Sequence, residues 1–321
     1  MSSDTRTGVA IVGASIVGLM VALELRSRGI DVVVFERAAK FTADASALTP
    51  VPLSPVEADE LRSWLGRHEV YPLANSVGPT GDGFDAQRLW LVLLAHAEAE
   101  RVEIAWGRRV LGVTTVAGAV TAVRTDAGVS AVKAVVIAAG AGAAGITAAL
   151  GLQLPVLPEW SAWMRLEGVE AHVGWLVRAE AVEVSRTGVH LACLWSEGDG
   201  RGLVGAYRSF GAAGERRDTL ARSYLAEVAQ RLAPAVACDT AVSWRLHAHT
   251  SADHLPVVGS LPTAPGVVIA LPHGPYGNAR AVEIARRACD AVMDPDGSRR
   301  HAWSLDRFPQ GATGGRMASA R

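Results

Sequence analysis

The first forty residues alternate between apolar runs and an amphipathic segment. Val9–Val12 and Val32–Phe35 are continuous apolar runs, which are typical of strands buried on both faces of a parallel sheet. Between them, apolar residues recur at helical spacing from Leu19 to Leu25, and Gly29 marks the end of that helix. The pattern therefore predicts a strand, a helix and a second strand, which is the βαβ unit of a doubly wound sheet.

The rest of the chain shows helical and strand-like patterns in turn. Helices are predicted at 57–67, 85–100 and 215–232, with a last helix that ends at Met293. Strands are predicted at 102–106, 110–116, 119–125, 130–133, 133–138 and 267–271, and alternating strand-like runs recur between residues 161 and 206. We thus predict an α/β protein with a Rossmann-like nucleotide-binding domain (1–50, 83–153 and 246–321) and an inserted, mostly antiparallel β substrate domain (51–82 and 154–245).

The turn after the first strand carries a phosphate-binding pattern, Gly13-Ala-Ser-Ile-Val-Gly18. Gly13 permits a tight turn, and Gly18 lets the helix lie close to the strand. The N–H groups at the helix start, near Ile16 and Val17, would face a pyrophosphate together with the positive end of the helix dipole. Ser15 stands where the dinucleotide fingerprint has its middle glycine, so we expect a slightly displaced pyrophosphate. A nucleotide site that has decayed is the alternative left open.

The second strand ends in an acid, Glu36, placed 18 residues after Gly18. A carboxylate there can accept hydrogen bonds from both hydroxyls of an adenosine ribose. Its negative charge would also repel a 2′-phosphate, which argues against NADP. Arg37 follows directly and is included among the predicted cofactor contacts.

Composition and charge exclude several function classes. The 31 basic and 32 acidic residues nearly cancel, so no strong field favours nucleic acid or an anionic membrane. Cys193, Cys238 and Cys289 are widely spaced, which predicts buried thiols in a reducing compartment rather than disulfides or zinc. The N-terminus lacks a signal-peptide pattern, and the long uncharged stretches break at glycines. We expect a cytoplasmic protein with no membrane segment.

Small residues recur where a backbone could approach a flat cofactor. Predicted contacts of this kind are Ala45, Ser46 and Ala47 after the second strand, Val110 at the start of a short strand, and Ala139 and Gly140 after strand 133–138. Strand 267–271 leads through a second glycine turn into the last helix. The residues of that turn are His273, Gly274, Pro275, Tyr276, Gly277 and Asn278. A helix N-terminus suits an electron-rich ring edge, and a reduced flavin is the cofactor that most needs it.

Taken in order, these segments resemble the D-amino-acid oxidase superfamily of FAD-dependent oxidoreductases. The resemblance rests on the Gly13–Gly18 turn with Glu36, the loop 41–50, the turn 135–142, the D-x-x-P-x-x-G pattern of 253–259, the H-G-P-Y-G turn of 273–277 and the ending 303–308. It implies FAD as cofactor and a small amine or amino acid as substrate. The C–N bond would be oxidised by hydride transfer to flavin N5, and oxygen would be the acceptor and yield hydrogen peroxide.

The sequence departs from the family at two positions that bear on chemistry. The family's carboxylate-binding arginine lies in an R-P motif, and the nearest match here is Arg245, which lacks the proline. We expect Arg245 to bind a substrate carboxylate, since a guanidinium suits that group, with a structural ion pair as the alternative. Pro275 replaces a glycine and removes an N–H close to the flavin. Other candidates for the substrate pocket are Tyr276, which could cap it, and Tyr207 with Arg208, at the edge of the inserted sheet.

Several questions stay open at this stage. Arg280 could reach a substrate acid or be an ordinary helix charge, and the nearby histidines His247, His249 and His254 lack a carboxylate partner, so no metal site is expected. Another flavin reaction on the same scaffold, such as hydroxylation or desaturation, is one alternative. A non-catalytic relative is another, supported by Ser15 and Pro275. Oligomeric state is open.

Overall fold

The computed structural model describes residues 7–39, 51–70, 83–84, 86–169, 176–179, 183–185, 188–190, 193–198, 200–210, 215–234, 237–251, 253, 255–261, 263–272, 277–295 and 301–308. In chain order its strands and helices are β1 (Thr7–Val12), α1 (Ile16–Ser27), β2 (Val32–Glu36), β3 (Val51–Pro52), α2 (Pro55–Arg67), β4 (Gly83–Phe84), α3 (Ala86–Ala99), β5 (Glu103–Trp106), β6 (Val110–Val116), β7 (Ala119–Thr125), β8 (Gly128–Ile137), α4 (Ala143–Ala148), β9 (Val156–Glu167), β10 (Leu176–Ala179), β11 (Glu183–Ser185), β12 (Gly188–His190), β13 (Cys193–Gly198), β14 (Arg201–Phe210), α5 (Glu215–Leu232), β15 (Ala237–Ser251), β16 (Val257–Ser260), β17 (Val267–Leu271) and α6 (Ala281–Met293).

The first sheet is built around parallel strands. Its order is β16-β17-β8-β1-β2-β5, and β7 and β6 extend it by antiparallel pairing from β8. The pairs β1–β2, β1–β8, β2–β5 and β17–β8 are parallel. Helices α1, α3 and α6 pack on one face of this sheet, while the β6–β7 hairpin and α4 pack on the other. Because both faces are covered, the central strands are continuous apolar runs, as the sequence predicted.

Strand β8 joins two kinds of pairing in one element. The sequence predicted two strands here, at 130–133 and 133–138, but the structure has a single strand. Its first half pairs antiparallel with β7, where Gly128 lies opposite Thr125. Its second half pairs in parallel with β1, where Ile137 lies opposite Val12. The backbone stays extended throughout because hydrogen bonding to β7 gives way to hydrogen bonding to β1 without a break.

The second sheet has five strands in the order β10-β13-β14-β9-β15 and is antiparallel. Helix α5 covers one face, where Leu225, Val228 and Ala229 pack against Met164 and Leu166 of β9. The chain enters this sheet through β9 and leaves it through β15, and these two strands pair with each other. The parallel-dominated first sheet and the antiparallel second sheet confirm the predicted fold class.

Helix α2 belongs to the core of the first sheet. Leu61, Trp64 and Leu65 are buried together with the apolar residues of α1 and α3. The predicted division grouped residues 51–82 with the substrate domain, although α2 contributes these side chains to the core of the first sheet. Strand β15 also continues to Ser251, beyond the predicted boundary at residue 245. The division into two domains stays a prediction.

A partly buried polar cluster joins α2 to α1. The carboxylate of Glu24 accepts hydrogen bonds from Trp64 Nε1 (3.1 Å), His68 Nε2 (3.1 Å) and Arg28 Nη2 (2.8 Å). The bond from His68 is the largest influence on the pKa of Glu24; burial opposes it and Arg28 and Trp64 reinforce it, so that the pKa falls from 4.5 to about 2. Helix α2 is therefore attached by polar contacts as well as by apolar packing.

Helix α6 completes the same core. Its residue Cys289 is a free, buried thiol, and burial raises the pKa of that thiol. In the parts of the chain that the structure describes, none of the helices combines the length and the hydrophobicity that a bilayer span requires.

Candidate cofactor and substrate site

The turn between β1 and α1 leaves no room for a side chain at Gly13 or at Gly18. Gly13 has φ +105°, and a β-carbon there would lie 2.8 Å from the carbonyl oxygen of Ala138. A β-carbon on Gly18 would lie 1.9 Å from the carbonyl oxygen of Gly13. Both glycines are therefore required by the geometry of the turn, for the reasons that the sequence indicated.

Ser15 has a structural task in this turn. It is the N-cap of α1, and its Oγ accepts a hydrogen bond from the N–H of Gly18 at 3.2 Å. The same hydroxyl approaches the carbonyl oxygen of Ala138 at 3.4 Å. A serine is a favoured N-cap because its oxygen satisfies one N–H of the first helical turn. The residue that departs from the fingerprint thus stabilises the helix start, and its side chain is exposed beside the turn.

Trp90 fixes the position of the turn from α3. Its indole Nε1 donates a 2.7 Å hydrogen bond to the carbonyl oxygen of Ala14, and the ring is almost fully buried. The sequence predicted Trp90 only as part of a helix, because the contact joins residues 76 positions apart. Helix α3 therefore supports the turn through a contact that no local pattern reveals.

Glu36 is held at the end of β2 by two backbone N–H groups. Its Oε2 accepts from Ala14 and its Oε1 accepts from Ala38, each at 2.9 Å. A carboxylate offers about four lone-pair positions, so both oxygens can accept further hydrogen bonds. Glu36 is therefore fixed beside the glycine turn and can still accept from two ribose hydroxyls.

A cavity of about 270 Å³ opens between this turn and the neighbouring strands. The predicted cofactor residues that line it are Gly13, Glu36, Arg37, Val110 and Ala139. It is also lined by residues that were not among the predicted cofactor contacts, namely Val12, Phe35, Arg108, Arg109, Leu111, Gly142, Gly145 and Ile146, of which Gly142 lies in the predicted turn 135–142. The cavity combines an apolar wall, one carboxylate and three arginines, which suits an adenosine group carrying phosphates.

Arg108 and Arg109 are brought to the cavity by backbone contacts of their own segment. The N–H of Arg108 donates to the carbonyl oxygen of Glu36 at 2.8 Å. The N–H of Arg109 donates to the carboxylate of Asp126 at 3.2 Å. Their position directly after β5, whose carboxyl end adjoins that of β2, is the sequence signal that could have found them.

The turn after β8 lies close to the second sheet. Gly140 has φ +50°, and a short 3₁₀ helix, Gly140–Gly142, follows Ala139. This 3₁₀ helix contacts β15, the strand that contains Arg245. The structure thus brings the strand of the predicted carboxylate-binding residue to one of the turns predicted to adjoin the cofactor.

The structure describes the second glycine turn only from Gly277 onward. Gly277 and Asn278 begin a 3₁₀ helix that leads into α6, and a β-carbon on Gly277 would lie 2.3 Å from the Pro272 side chain. Arg280 ends that helix, 3.6 Å from a carboxylate oxygen of Glu57, and its guanidinium lies near the Trp303 ring. Predicted site residues outside the described residues are Ala45, Ser46, Ala47, His273, Gly274, Pro275 and Tyr276.

An irregularity in β14 determines on which face of the second sheet the side chains of Tyr207 and Arg208 lie. The pairing with β9 shifts between Gly205 and Tyr207. Beyond the shift, Tyr207 joins the core under α5, where its ring lies 5.9 Å from that of Tyr224. Arg208 takes the other face of the sheet, opposite Ser161. Regular alternation would exchange the two residues, so the extra residue turns Tyr207 toward α5, whereas both residues were predicted as candidates for the substrate pocket.

Asp253 and Arg307 join two segments that carried the family resemblance. Arg307 donates to both carboxylate oxygens of Asp253, at 2.5 and 3.1 Å, and to the carbonyl oxygens of Leu255, Trp303 and Ser304. Burial alone would raise the pKa of Asp253, but the bonds from Arg307 and Leu255 hold that pKa at about 2. The pair fixes the start of the 253–259 segment against the C-terminal residues.

Comparison with known proteins agrees with these features. The family described as FAD dependent oxidoreductase (DAO) matches residues 47–291, and an FAD binding domain family matches residues 6–50. No curated protein sequence matches the chain.

Among solved structures, the chain is similar to glycine oxidase from Bacillus cereus, with 16% identity, a TM-score of 0.69, and coverage of 90% of this chain and 95% of that one. Glycine oxidase from Geobacillus kaustophilus has 19% identity, a TM-score of 0.67, and coverage of 94% and 98%. L-amino acid deaminase from Proteus vulgaris has 15% identity, a TM-score of 0.64, and coverage of 96% and 98%. These likenesses concern the fold.

The residues present fit the cofactor that the family implies. The turn admits no β-carbon at Gly13 or Gly18, the Glu36 carboxylate is held beside it, and the adjoining cavity is lined by arginines. The family match extends over most of the chain. The chain therefore belongs to the DAO family of FAD-dependent oxidoreductases, and its cofactor is FAD.

Proposed function

We propose that this protein oxidises the C–N bond of a small amine or amino acid. The observation that carries the proposal is the contact between β15, the strand that contains Arg245, and the Gly140–Gly142 helix, which we predict to adjoin the cofactor. The similar structures bear the names glycine oxidase and L-amino acid deaminase, which supports an amino acid as substrate.

The proposed task of Arg245 is to bind and orient the substrate. A guanidinium can form two parallel hydrogen bonds to a carboxylate, which fixes the rest of a small molecule. FAD, when bound, would accept the hydride from the carbon beside the nitrogen at N5 and pass the electrons to oxygen, giving hydrogen peroxide. The substrate nitrogen would lose its proton to solvent beforehand, so no strong protein base is required.

The predicted cofactor residues would bind FAD and hold it in a fixed orientation. Glu36 would accept from the ribose hydroxyls, the first turn of α1 would face the pyrophosphate, and Arg37 would lie at the rim of the adenosine cavity. Ala139 and Gly140, with Gly277 and Asn278, would line the flavin with backbone rather than with side chains.

The direct test is anaerobic mixing of the FAD-loaded protein with D- and L-amino acids, N-methyl amines and cyclic imino acids. We expect loss of the flavin absorbance near 450 nm with at least one carboxylate-bearing member, followed in air by equimolar peroxide without NADPH consumption. Obligatory NADPH consumption would instead identify a hydroxylase. Retention of the flavin absorbance with every compound would contradict the proposal.

Arg245→Lys separates substrate binding from cofactor binding. Because lysine cannot form the two-bond contact, the KM for a carboxylate substrate should rise at least tenfold while FAD affinity stays unchanged. Arg222→Lys, on an exposed position of α5, is the matched control and should change neither. Equal effects of Arg245→Lys on FAD and substrate would remove Arg245 from this role.

A further inference from the structure

Ser15 stands at the position of the nucleotide turn where the fingerprint has its middle glycine. That glycine lets the backbone approach the pyrophosphate of a bound dinucleotide. A side chain at the same position therefore lies on the side of the turn that faces the pyrophosphate. The Ser15 side chain is exposed, so its hydroxyl is open to a ligand.

The hydrogen bonds of the Ser15 hydroxyl leave its proton with a distant acceptor. The Oγ accepts from the N–H of Gly18 at 3.2 Å, and a hydroxyl has one proton left to donate. The acceptor that the structure gives this proton is the carbonyl oxygen of Ala138, at 3.4 Å. Hydrogen bonds between oxygens are usually about 2.7–2.8 Å long. A charged phosphate oxygen would therefore be a stronger acceptor for this proton than Ala138 is.

Helix α1 begins with more N–H groups than the described residues satisfy. The N–H of Gly18 bonds to Ser15 Oγ, and the N–H of Leu19 donates to the Ser15 carbonyl oxygen at 2.8 Å. Three further N–H groups at this helix start have no acceptor among the residues that the structure describes, namely those of Ser15, Ile16 and Val17. The Ser15 hydroxyl thus adds a fourth donor to three backbone donors of the same turn, and all four suit an anion.

Resting on the proposed place of the pyrophosphate at α1, we propose that the Ser15 hydroxyl binds the FAD pyrophosphate. Its oxygen caps α1 by accepting from Gly18, and its proton is donated to a phosphate oxygen. The FAD site itself follows from the family match over residues 6–50, not from the helix start alone. The exchange of glycine for serine therefore replaces a close backbone approach by an added hydrogen bond, and the nucleotide site is intact rather than decayed.

The test is competition of ADP and of adenosine with FAD for the flavin-free, full-length protein, read by FAD fluorescence. Adenosine lacks the phosphates, so the ratio of the two dissociation constants isolates the phosphate contacts from general damage to the site. Ser15→Gly removes the hydroxyl at little cost to the N-cap. The preference for ADP over adenosine should fall at least fivefold, because a hydrogen bond to a charged group is lost. An unchanged or increased preference, as relief of crowding would produce, would overturn the proposal.

Two further variants test whether the hydroxyl or the N-cap is responsible. Ser15→Thr keeps both the hydroxyl and the cap and should retain the wild-type preference, so a fall as large as in Ser15→Gly would count against the hydroxyl. Ser54→Gly is the matched control, because Ser54 is the N-cap of α2 and its Oγ accepts from the N–H of Glu57 at 3.3 Å. Ser54 does not line the cavity, so this variant should leave the preference unchanged. An equal fall in both glycine variants would refute the role of Ser15.

Ser15→Asp separates the role of the hydroxyl from the place of the pyrophosphate. Aspartate is also a favoured N-cap, but its charge repels phosphates, so the preference for ADP should fall at least tenfold. If Ser15→Asp lowers the preference and Ser15→Gly does not, the pyrophosphate lies at α1 and the role of the hydroxyl is refuted. If neither variant changes the preference, the proposed place of the pyrophosphate fails together with the hydroxyl. Amine oxidation by the FAD-loaded wild type is decided separately, because no substrate enters these measurements.

Discussion

Gly18 lies against Gly13, so closely that a β-carbon on Gly18 would meet the Gly13 carbonyl oxygen at 1.9 Å. In Gly18→Ala the helix must therefore move away from β1 and from the turn. We expect a loss of about 2 kcal/mol or more in the free energy of unfolding, from overpacking against backbone. FAD affinity should fall at least tenfold in the same variant, since the N–H groups of the first helical turn are displaced. Urea unfolding and titration of the flavin-free protein with FAD measure the two effects.

Gly66→Ala is the matched control for that change. Gly66 is also a helical glycine, but no heavy atom lies within 4 Å of a β-carbon built there. Alanine is the better helix former, so the control should be neutral or more stable by up to about 1 kcal/mol. Equal destabilisation by the two substitutions would show that the approach of Gly18 to Gly13 is not the cause.

Glu36→Gln tests the acid at the end of β2. Its two oxygens accept from the N–H groups of Ala14 and Ala38, and an amide would turn one acceptor into a donor that faces a donor. Charged hydrogen bonds contribute about 1.5–3 kcal/mol, so FAD should bind roughly ten- to a hundredfold more weakly, as measured by fluorescence titration. Glu103→Gln, at an exposed position on the adjacent strand β5, should bind FAD like wild type.

Glu24→Gln tests the attachment of α2 through the pH dependence of stability. The pKa of Glu24 is lowered from 4.5 to about 2, so its carboxylate stabilises the folded state fully above pH 4.5. That contribution is lost as the pH falls through 2. Because Glu24 is only partly buried, solvent screens its interactions, and we expect the free energy of unfolding of wild type to exceed that of the variant by about 1–2 kcal/mol at pH 7. This difference should shrink below pH 4.5 in urea unfolding.

The exposed Glu100 provides the comparison for that experiment. Glu100→Gln should leave the stability unchanged at every pH, because surface charges contribute little. A difference between wild type and Glu24→Gln that stays constant from pH 6 to pH 2 would contradict the role of the Glu24 carboxylate.

The turn between β1 and α1 could be predicted from the sequence because the residues that form it lie close together along the chain. Gly13, Gly18 and Glu36 follow from spacing within one βαβ unit, and the structure places all three around the same turn. Trp90 reaches that site through a contact between distant segments, which no local pattern reveals, whereas the position of Arg108 directly after β5 is a signal that the sequence does carry.

The sequence predicted an antiparallel second sheet but not the direction of each side chain in it. Alternation identified its strands, yet the exchange of Tyr207 and Arg208 depends on one extra residue in β14, which changes every side-chain direction beyond it. The sequence also could not predict which core α2 packs into, because an amphipathic helix can pack its apolar face against any apolar surface.

The pairing of β9 with β15 has a consequence for how this fold diversifies. Val156 at the start of β9 lies opposite Ser251 at the end of β15, so the chain departs and returns at neighbouring points. The described strands between those points belong to the second sheet or to the β11–β12 pair, and α5 covers the second sheet, so a longer or shorter segment there would leave the strand pairing of the parallel sheet unchanged. A protein with this fold can therefore acquire a new reaction by changing the segment between β9 and β15, while the parallel sheet that binds the nucleotide stays the same.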